Sequence, residues 1–385
     1  MTLEEFTSQL NAATFWREFT FSETKFSPRP KQEVELADGI VRIGTLAYVL
    51  QLKERAAETD DSAAERQWFQ SKVIKKATRQ IRDSVQYLTD NEVIRLTNEQ
   101  GHAFDVKGAE LVEMKKIIVF KGGRALPDDC RQTRFYLSKN VGFIHLIEAQ
   151  DYQGILEYIR VPDDVRRYFD YREAALVALA EEGVIVEEPD IMVGYLSDVA
   201  RPVPNSRERL RAFVQDLEQF DLSYILDNLL AHIQDAGPNQ DYYRILLEFG
   251  RVPRSVWRAF KERLVPTLDA CSAGNFLQPY RFTYPSTDCS FMIASLDPRF
   301  PATGEEGEKL RANGLQMLTL GAKYAAKSKL GIGLLVSKSG DYFHLDWCAV
   351  DQPWERDEWI ENMLATSNPF RPVKEKQVFD FKFQG

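Results

Sequence analysis

An acid, an amide and an amine stand close together in one short stretch of the chain: Asp38, Gln51 and Lys53. Hydrolysis of a phosphodiester needs a divalent cation held by oxygen atoms, an oriented water and positive charge to meet the developing oxyanion. Asp38 supplies a carboxylate, Gln51 a neutral side-chain oxygen, and the carbonyl of Leu52 a third donor. Lys53 supplies an amine that orients the water or helps to deprotonate it. The cation this chemistry asks for is Mg²⁺ or Mn²⁺. Glu33 and Glu35 lie just ahead of Asp38 and are further candidates for the metal, with Glu35 the nearer in sequence.

These residues need a hairpin to meet. The segment 33–55 reads EVELADGIVRIGTLAYVLQLKER. Gly44-Thr45 has the Gly-X form of a two-residue type II′ turn. That turn pairs Ile43 with Leu46, Val41 with Tyr48 and Ile40 with Val49, and continuing outward it sets Asp38 opposite Gln51. Opposed side chains share a face at roughly 5 Å between Cβ atoms, and Lys53, two residues on, shares it too. Leu46, Tyr48, Leu50 and Leu52, with Val41 and Ile43, form the other face, which is expected to be the packing surface. The polar trio then stands at one end of an open face.

Further elements follow from periodicity. Residues 2–13 read as a helix with Glu4 and Glu5 in its first turn, where carboxylates suit the helix dipole. Residues 17–26 alternate like a strand. Across 62–88, Phe69, Val73, Ala77, Ile81, Val85 and Leu88 draw one apolar face of a long helix. The same stretch holds six lysines and arginines against two acids, a local +4 inside an acidic chain. Runs at 116–120 and 141–148 have the length and apolarity of buried strands. From about 150 to 270 the signals are helical. After 276 come a strand, a long helix, a hairpin around Ser339-Gly340 and a last helix. The expected organisation is 1–150 as an α/β domain with a mixed sheet flanked by helices, 151–275 as a helical region, and 276–385 as a small α/β domain.

The constellation resembles the PD-(D/E)XK, or restriction-endonuclease-like, nucleases, in particular the QxK variant of Mrr-type enzymes. The matching residues are Asp38 and the tripeptide Gln51-Leu52-Lys53. The resemblance covers about 1–150. It implies a metal-dependent nuclease acting on nucleic acid, DNA ahead of RNA, in prokaryotic defence, working as a homo-oligomer or with a partner protein. It also implies an acid on the first helix, for which Glu4 and Glu5 are the candidates. Basic and amide residues are expected on the helix after the QxK strand; Lys72, Lys76, Arg79 and Gln80 are the candidates for nucleic-acid contact. Two departures stand out: Gln51 replaces the usual glutamate, removing a negative charge, and Ala37 stands where the proline of the PD pair belongs. The alternative is a catalytically inactive module of the same fold that binds nucleic acid or protein; a third reading is a structural subunit.

Other chemistries find little support. Cys130, Cys271, Cys289 and Cys348 have no CxxC spacing, and the four histidines form no HExxH. Gly331-Ile332-Gly333 lacks the third glycine of a dinucleotide fingerprint. The net charge of −9 excludes coating of nucleic acid by bulk charge, though not a local basic groove. No apolar run spans a bilayer and the N-terminus has no secretion signal, so a cytoplasmic location is expected.

Overall fold

Thr2 starts the first helix. Its hydroxyl accepts the N–H of Glu5 at 3.2 Å, and the Glu5 carboxylate accepts the N–H of Thr2 at 2.9 Å, a reciprocal capping box. The helix, α1 (Leu3–Phe19), absorbs the first part of the segment 17–26 assigned to a strand by its alternation. Burial decides the matter: Phe15, Trp16 and Phe19 all lie in the core, and Trp16 adopts a φ of 60° that kinks the helix. Strands β1 (Thr20–Phe21) and β2 (Lys25–Arg29) take what remains. The structure is a computed structural model that describes residues 1–29, 31–57, 59–204, 206–233 and 240–375.

Next come β3 (Gln32–Glu35), β4 (Gly39–Ile43), β5 (Leu46–Glu54), β6 (Ile94–Thr97), β7 (Ala103–Val106), β8 (Glu113–Lys121), β9 (Phe135–Ser138) and β10 (Gly142–Glu148). Six strands form one mixed sheet in the order β1-β4-β5-β8-β10-β9. β4 and β5 pair antiparallel, with Ile43 opposite Leu46, Val41 opposite Tyr48 and Ile40 opposite Val49. Gly44 at the turn has φ 60°, whereas Thr45 is not in the left-handed region, as a type II′ turn requires. β8 runs parallel to both β5 and β10.

Between β5 and β6 lies the long helical segment, α2 (Ser62–Trp68), a π-helical stretch Phe69–Ala77, and α3 (Thr78–Asp90). Asp61 caps it, accepting the N–H groups of Ala63 and Ala64. A step of four residues overshoots an α-helical turn by about 40°, so a stripe at 69, 73, 77 and 81 drifts around an ideal helix. The looser i→i+5 turns take up that drift, and all four side chains are buried.

The open polar face expected on β5 does not exist. Every residue from Leu46 to Leu52 is buried. Tyr48 meets Phe15 of α1 on one side. On the other, Phe69 of the π-helical stretch meets Phe120, the neighbour of Lys53 across to β8. The long helix therefore covers the face that carries Gln51 and Lys53, with Ala47 and Val49 beneath it. Only Lys53 and Glu54, at the strand's end, reach solvent.

After α4 (Asp128–Arg131), helices α5 (Ala149–Ile159), α6 (Pro162–Glu182), α7 (Glu188–Leu196) and α8 (Arg207–Phe220) follow. The chain divides into two compact units, Met1–Leu217 and another from Glu218 onward. The helical stretch is thus shared between two cores. α5 packs on α1, β8 and β10 in the first unit. In the second, α9 (Ser223–Ala231), α10 (Asp241–Phe249) and α11 (Arg254–Ser272) accompany the sheet β11-β12-β13-β14. An amphipathic pattern announces a buried stripe but not the surface that buries it.

The second sheet consists of β11 (Tyr280–Tyr284), β12 (Cys289–Ser295), β13 (Leu330–Ser339) and β14 (Tyr342–Asp351), with α12 (Gly304–Ala326) across it and α13 (Glu358–Thr366) beyond. Gly331 and Gly333 have a packing role here: a Cβ on Gly333 would stand 1.9 Å from Thr319 Oγ1 of α12. No described helix is long and apolar enough to cross a membrane.

In the first unit, Arg172 of α6 is fully buried and donates to Glu188 of α7 through Nε at 2.7 Å and Nη2 at 2.9 Å. Burial opposes the Glu188 charge, but Arg172 outweighs it and holds the carboxyl below its ordinary value of 4.5. A lowered carboxylate contributes stability above its unfolded pKa and loses it as pH falls through the folded one. Arg172→Met leaves the Glu188 carboxylate buried without its guanidinium and is expected to cost about 3–5 kcal/mol near neutral pH. Thermal melts should show the loss shrinking as pH drops well below 4.5; an unchanged melting temperature at pH 7 would deny the pair this role.

Candidate active site

β4 begins at Gly39, so among the described residues β5 has no ladder partner on that side beyond Leu50. Asp38 fills the gap. Its N–H donates to the Leu50 carbonyl at 3.1 Å, and its Oδ2 accepts the Leu52 N–H at 2.6 Å. The carboxylate thus replaces a missing backbone rung. Lys53 folds back onto the same place. Its Nζ donates to Asp38 Oδ2 at 3.0 Å, Leu52 O at 2.7 Å and Gln51 Oε1 at 3.4 Å. The Asp38 and Lys53 side chains are each 12% exposed, and Gln51 is buried.

The residues ahead of Asp38 are pinned from two directions. Thr24 Oγ1 accepts the Ala37 N–H at 3.1 Å and donates to the Ala37 carbonyl. Ser84 Oγ of α3 donates to the Leu36 carbonyl. These bonds fix the backbone that aims Asp38, and nothing in the local sequence announces them.

No family model, curated protein or solved structure matches this chain. Its chemistry must therefore be read from its own atoms. Three oxygens of the kind that bind hard cations, Asp38 Oδ2, Gln51 Oε1 and Leu52 O, already surround one positive charge. That charge is the Lys53 ammonium. The donor set suits a divalent ion in type, with Asp38 as its only anionic member. Among the described residues, no group of three or more His, Cys, Asp or Glu is arranged to hold a metal.

The other acids differ in place. Burial, and then the charges of Asp38 and Glu4, push the Glu35 carboxyl above its ordinary value. Glu4, Glu35 and Asp38 share the wall of a cavity of about 290 Å³ beneath α1. Glu5 reaches that wall too, but its carboxylate is engaged in the capping box, so Glu4 is the first-helix acid coupled to the site. The start of α1 is held there by Glu54, whose Oε2 accepts the Leu3 N–H at 3.0 Å. Hydrogen bonds from Lys121 and Leu3 keep the Glu54 carboxyl low. Glu33 is exposed on β3.

On the long helix, Lys72, Lys76 and Arg79 are exposed and Gln80 is half-buried. Lys72, Lys76, Gln80 and Ser84 recur every four residues, one ridge of a helix, and Ser84 touches Leu36, two residues from Asp38. Gln80 Oε1 is buried with no hydrogen-bond partner among the described residues. A second polar knot lies past the end of β5. Glu65 accepts Arg55 Nε at 2.7 Å and the Gly123 N–H at 3.1 Å. Sequence reading missed it, because its members come from three separate segments.

A raised Glu35 midpoint means that this group lowers stability as pH climbs through it. Asp38→Asn removes the nearby negative charge and frees Lys53, and both changes favour the Glu35 anion. A carboxyl-carbon NMR titration should therefore show the Glu35 midpoint falling in Asp38→Asn; a midpoint that stays or rises would separate the two groups electrostatically.

Proposed function

We propose that the first unit is a metal-dependent nuclease that hydrolyses phosphodiester bonds, with DNA as the preferred substrate. One observation carries the reading: two side-chain oxygens and one carbonyl converge on a single cationic position at the end of a buried strand. Asp38, Gln51 and the Leu52 carbonyl would hold Mg²⁺ or Mn²⁺ there, with Glu35 beside them. Such an ion supplies Lewis-acid polarisation of the phosphate and a more acidic water.

The chain's own residues do the rest. Lys53 would yield the three oxygens to such an ion, and its flexible stem would keep the ammonium close enough to orient water and meet charge on the phosphate. Asp38 keeps its Leu52 N–H bond, so its carboxylate stays aimed. The ridge of Lys72, Lys76 and Gln80, with Arg79 beside it, gives the phosphate backbone a basic track ending near Leu36. The order of helix, hairpin, helix and parallel strand around these residues supports a restriction-endonuclease-like core. Defence against foreign DNA is the setting that the resemblance brings with it.

A second reading is supported by the same contacts. With Lys53 satisfying all three oxygens, the site is electrostatically complete without a metal, which suits an inactive module that binds nucleic acid or protein.

Plasmid, linear DNA and RNA incubated with Mg²⁺ or Mn²⁺ separate the two. The nuclease reading expects cleavage that falls about a hundredfold or more in Asp38→Ala and in Lys53→Ala. It also expects Lys72, Lys76 and Arg79 changed together to alanine to weaken DNA binding and flatten its salt dependence by about one unit of slope per lysine or arginine. Metal-independent cutting, or cutting indifferent to both single substitutions, would overturn it. Binding without cutting would give the site to the inactive module.

A further inference from the structure

The second unit carries an open strand edge. Among the described residues, β14 lies last in its sheet and pairs with β13 alone. The hairpin closes with Ser339 opposite Tyr342 across the two residues Gly340 and Asp341, so Tyr342 and every second residue after it turn their backbone groups toward β13. Phe343, Leu345, Trp347 and Ala349 turn theirs outward. Ala349 shows this directly, since its N–H donates to Asp241 Oδ2 at 3.1 Å. Among the described residues, the outward N–H groups of Phe343, Leu345 and Trp347 have no backbone partner.

This edge is the floor of a groove. A cavity of about 1090 Å³ runs along all of 342–350, walled by α9 and α10 on one side and by α12 on the other. At about 3.4 Å per residue, that floor is about 30 Å long. The walls differ in character. Trp347 points toward α10 and α11, stacking on Phe260 and meeting Phe249, and Leu229 and Ile245 extend the apolar side. On the other side, Asp346 pairs with Arg311 of α12 at 2.8 Å, and Glu308 stands exposed one turn earlier. With that ion pair neutral, Glu308 and Asp241 leave the groove negative.

We propose that this groove binds an extended peptide that adds a strand to β14, with apolar side chains facing α10 and basic side chains facing α12. The outward N–H and C=O groups supply the ladder, and the two unlike walls read alternate side chains. The recessed floor between helices favours a single strand over a second copy's sheet. A long edge left open would otherwise invite aggregation. Asp241 already stands in for an acceptor at one end, which marks where the added strand stops.

Fluorescence anisotropy with the full chain tests this. The probes are two labelled nine-residue peptides, one alternating valine with lysine and one alternating valine with glutamate. The lysine peptide should bind at least about tenfold more tightly. Glu308→Lys, on an exposed wall, should erase that preference. Leu345→Pro removes an outward N–H that β13 does not use, and binding should be lost. Equal binding of the two peptides, no binding of either, or full binding by Leu345→Pro would overturn the proposal. So would sedimentation of the wild type as a dimer that Leu345→Pro splits, which would give the edge to a second copy.

Discussion

The ammonium of Lys53 sits among three oxygens of one hairpin: a side chain before β4, a side chain within β5 and the main-chain carbonyl of the residue that follows it. Gathering oxygens at one point is unfavourable unless a positive charge sits among them, because each is an electron-rich group withdrawn from water. The cation is therefore a condition of the geometry as much as a product of it. Around it the structure spends several independent devices on one purpose. The turn at Gly44 sets the register, Thr24 and Ser84 clamp the backbone ahead of Asp38, and Glu54 docks the start of α1 beside it.

The same cage explains why the two functional readings are close in structure yet different in consequence. An ammonium and a hard metal ion ask for the same oxygens. A glutamate at position 51 would add charge where Gln51 is neutral, and a more anionic cage would favour the divalent ion over the lysine. In this chain the balance rests on Asp38, with ionisation of Glu35 restrained by partial desolvation and by its acidic neighbours. Glu4 contributes to that restraint from α1, across the cavity below the helix.

The hairpin was legible in the sequence because its information is local. A glycine at the turn and the alternation on either side are enough to number the rungs, and the meeting of Asp38 with Gln51 and Lys53 follows. The basic helix was legible for a similar reason, though its π-helical turns were not. What was not legible depends on partners distant in sequence. The polar face of β5 proved buried because a helix some twenty residues later lies over it. The Lys53 fold-back depends on where β4 stops, and the choice between Glu4 and Glu5 depends on a cap. The burial of Arg172 with Glu188, the clamps on Leu36 and Ala37, and the sharing of the helices between two cores all arise from tertiary packing that a periodic pattern cannot address.

Isothermal titration of Mn²⁺ into the wild type and into Lys53→Met tests the central claim most directly, since methionine keeps the length of the stem and removes its charge. If the lysine occupies the cation's place, both proteins bind one ion, and Lys53→Met binds it about tenfold more tightly because the competitor is gone. If neither protein takes up an ion, or if the substitution leaves the affinity unchanged, the three oxygens are not a metal cage and Lys53 is not its resident cation.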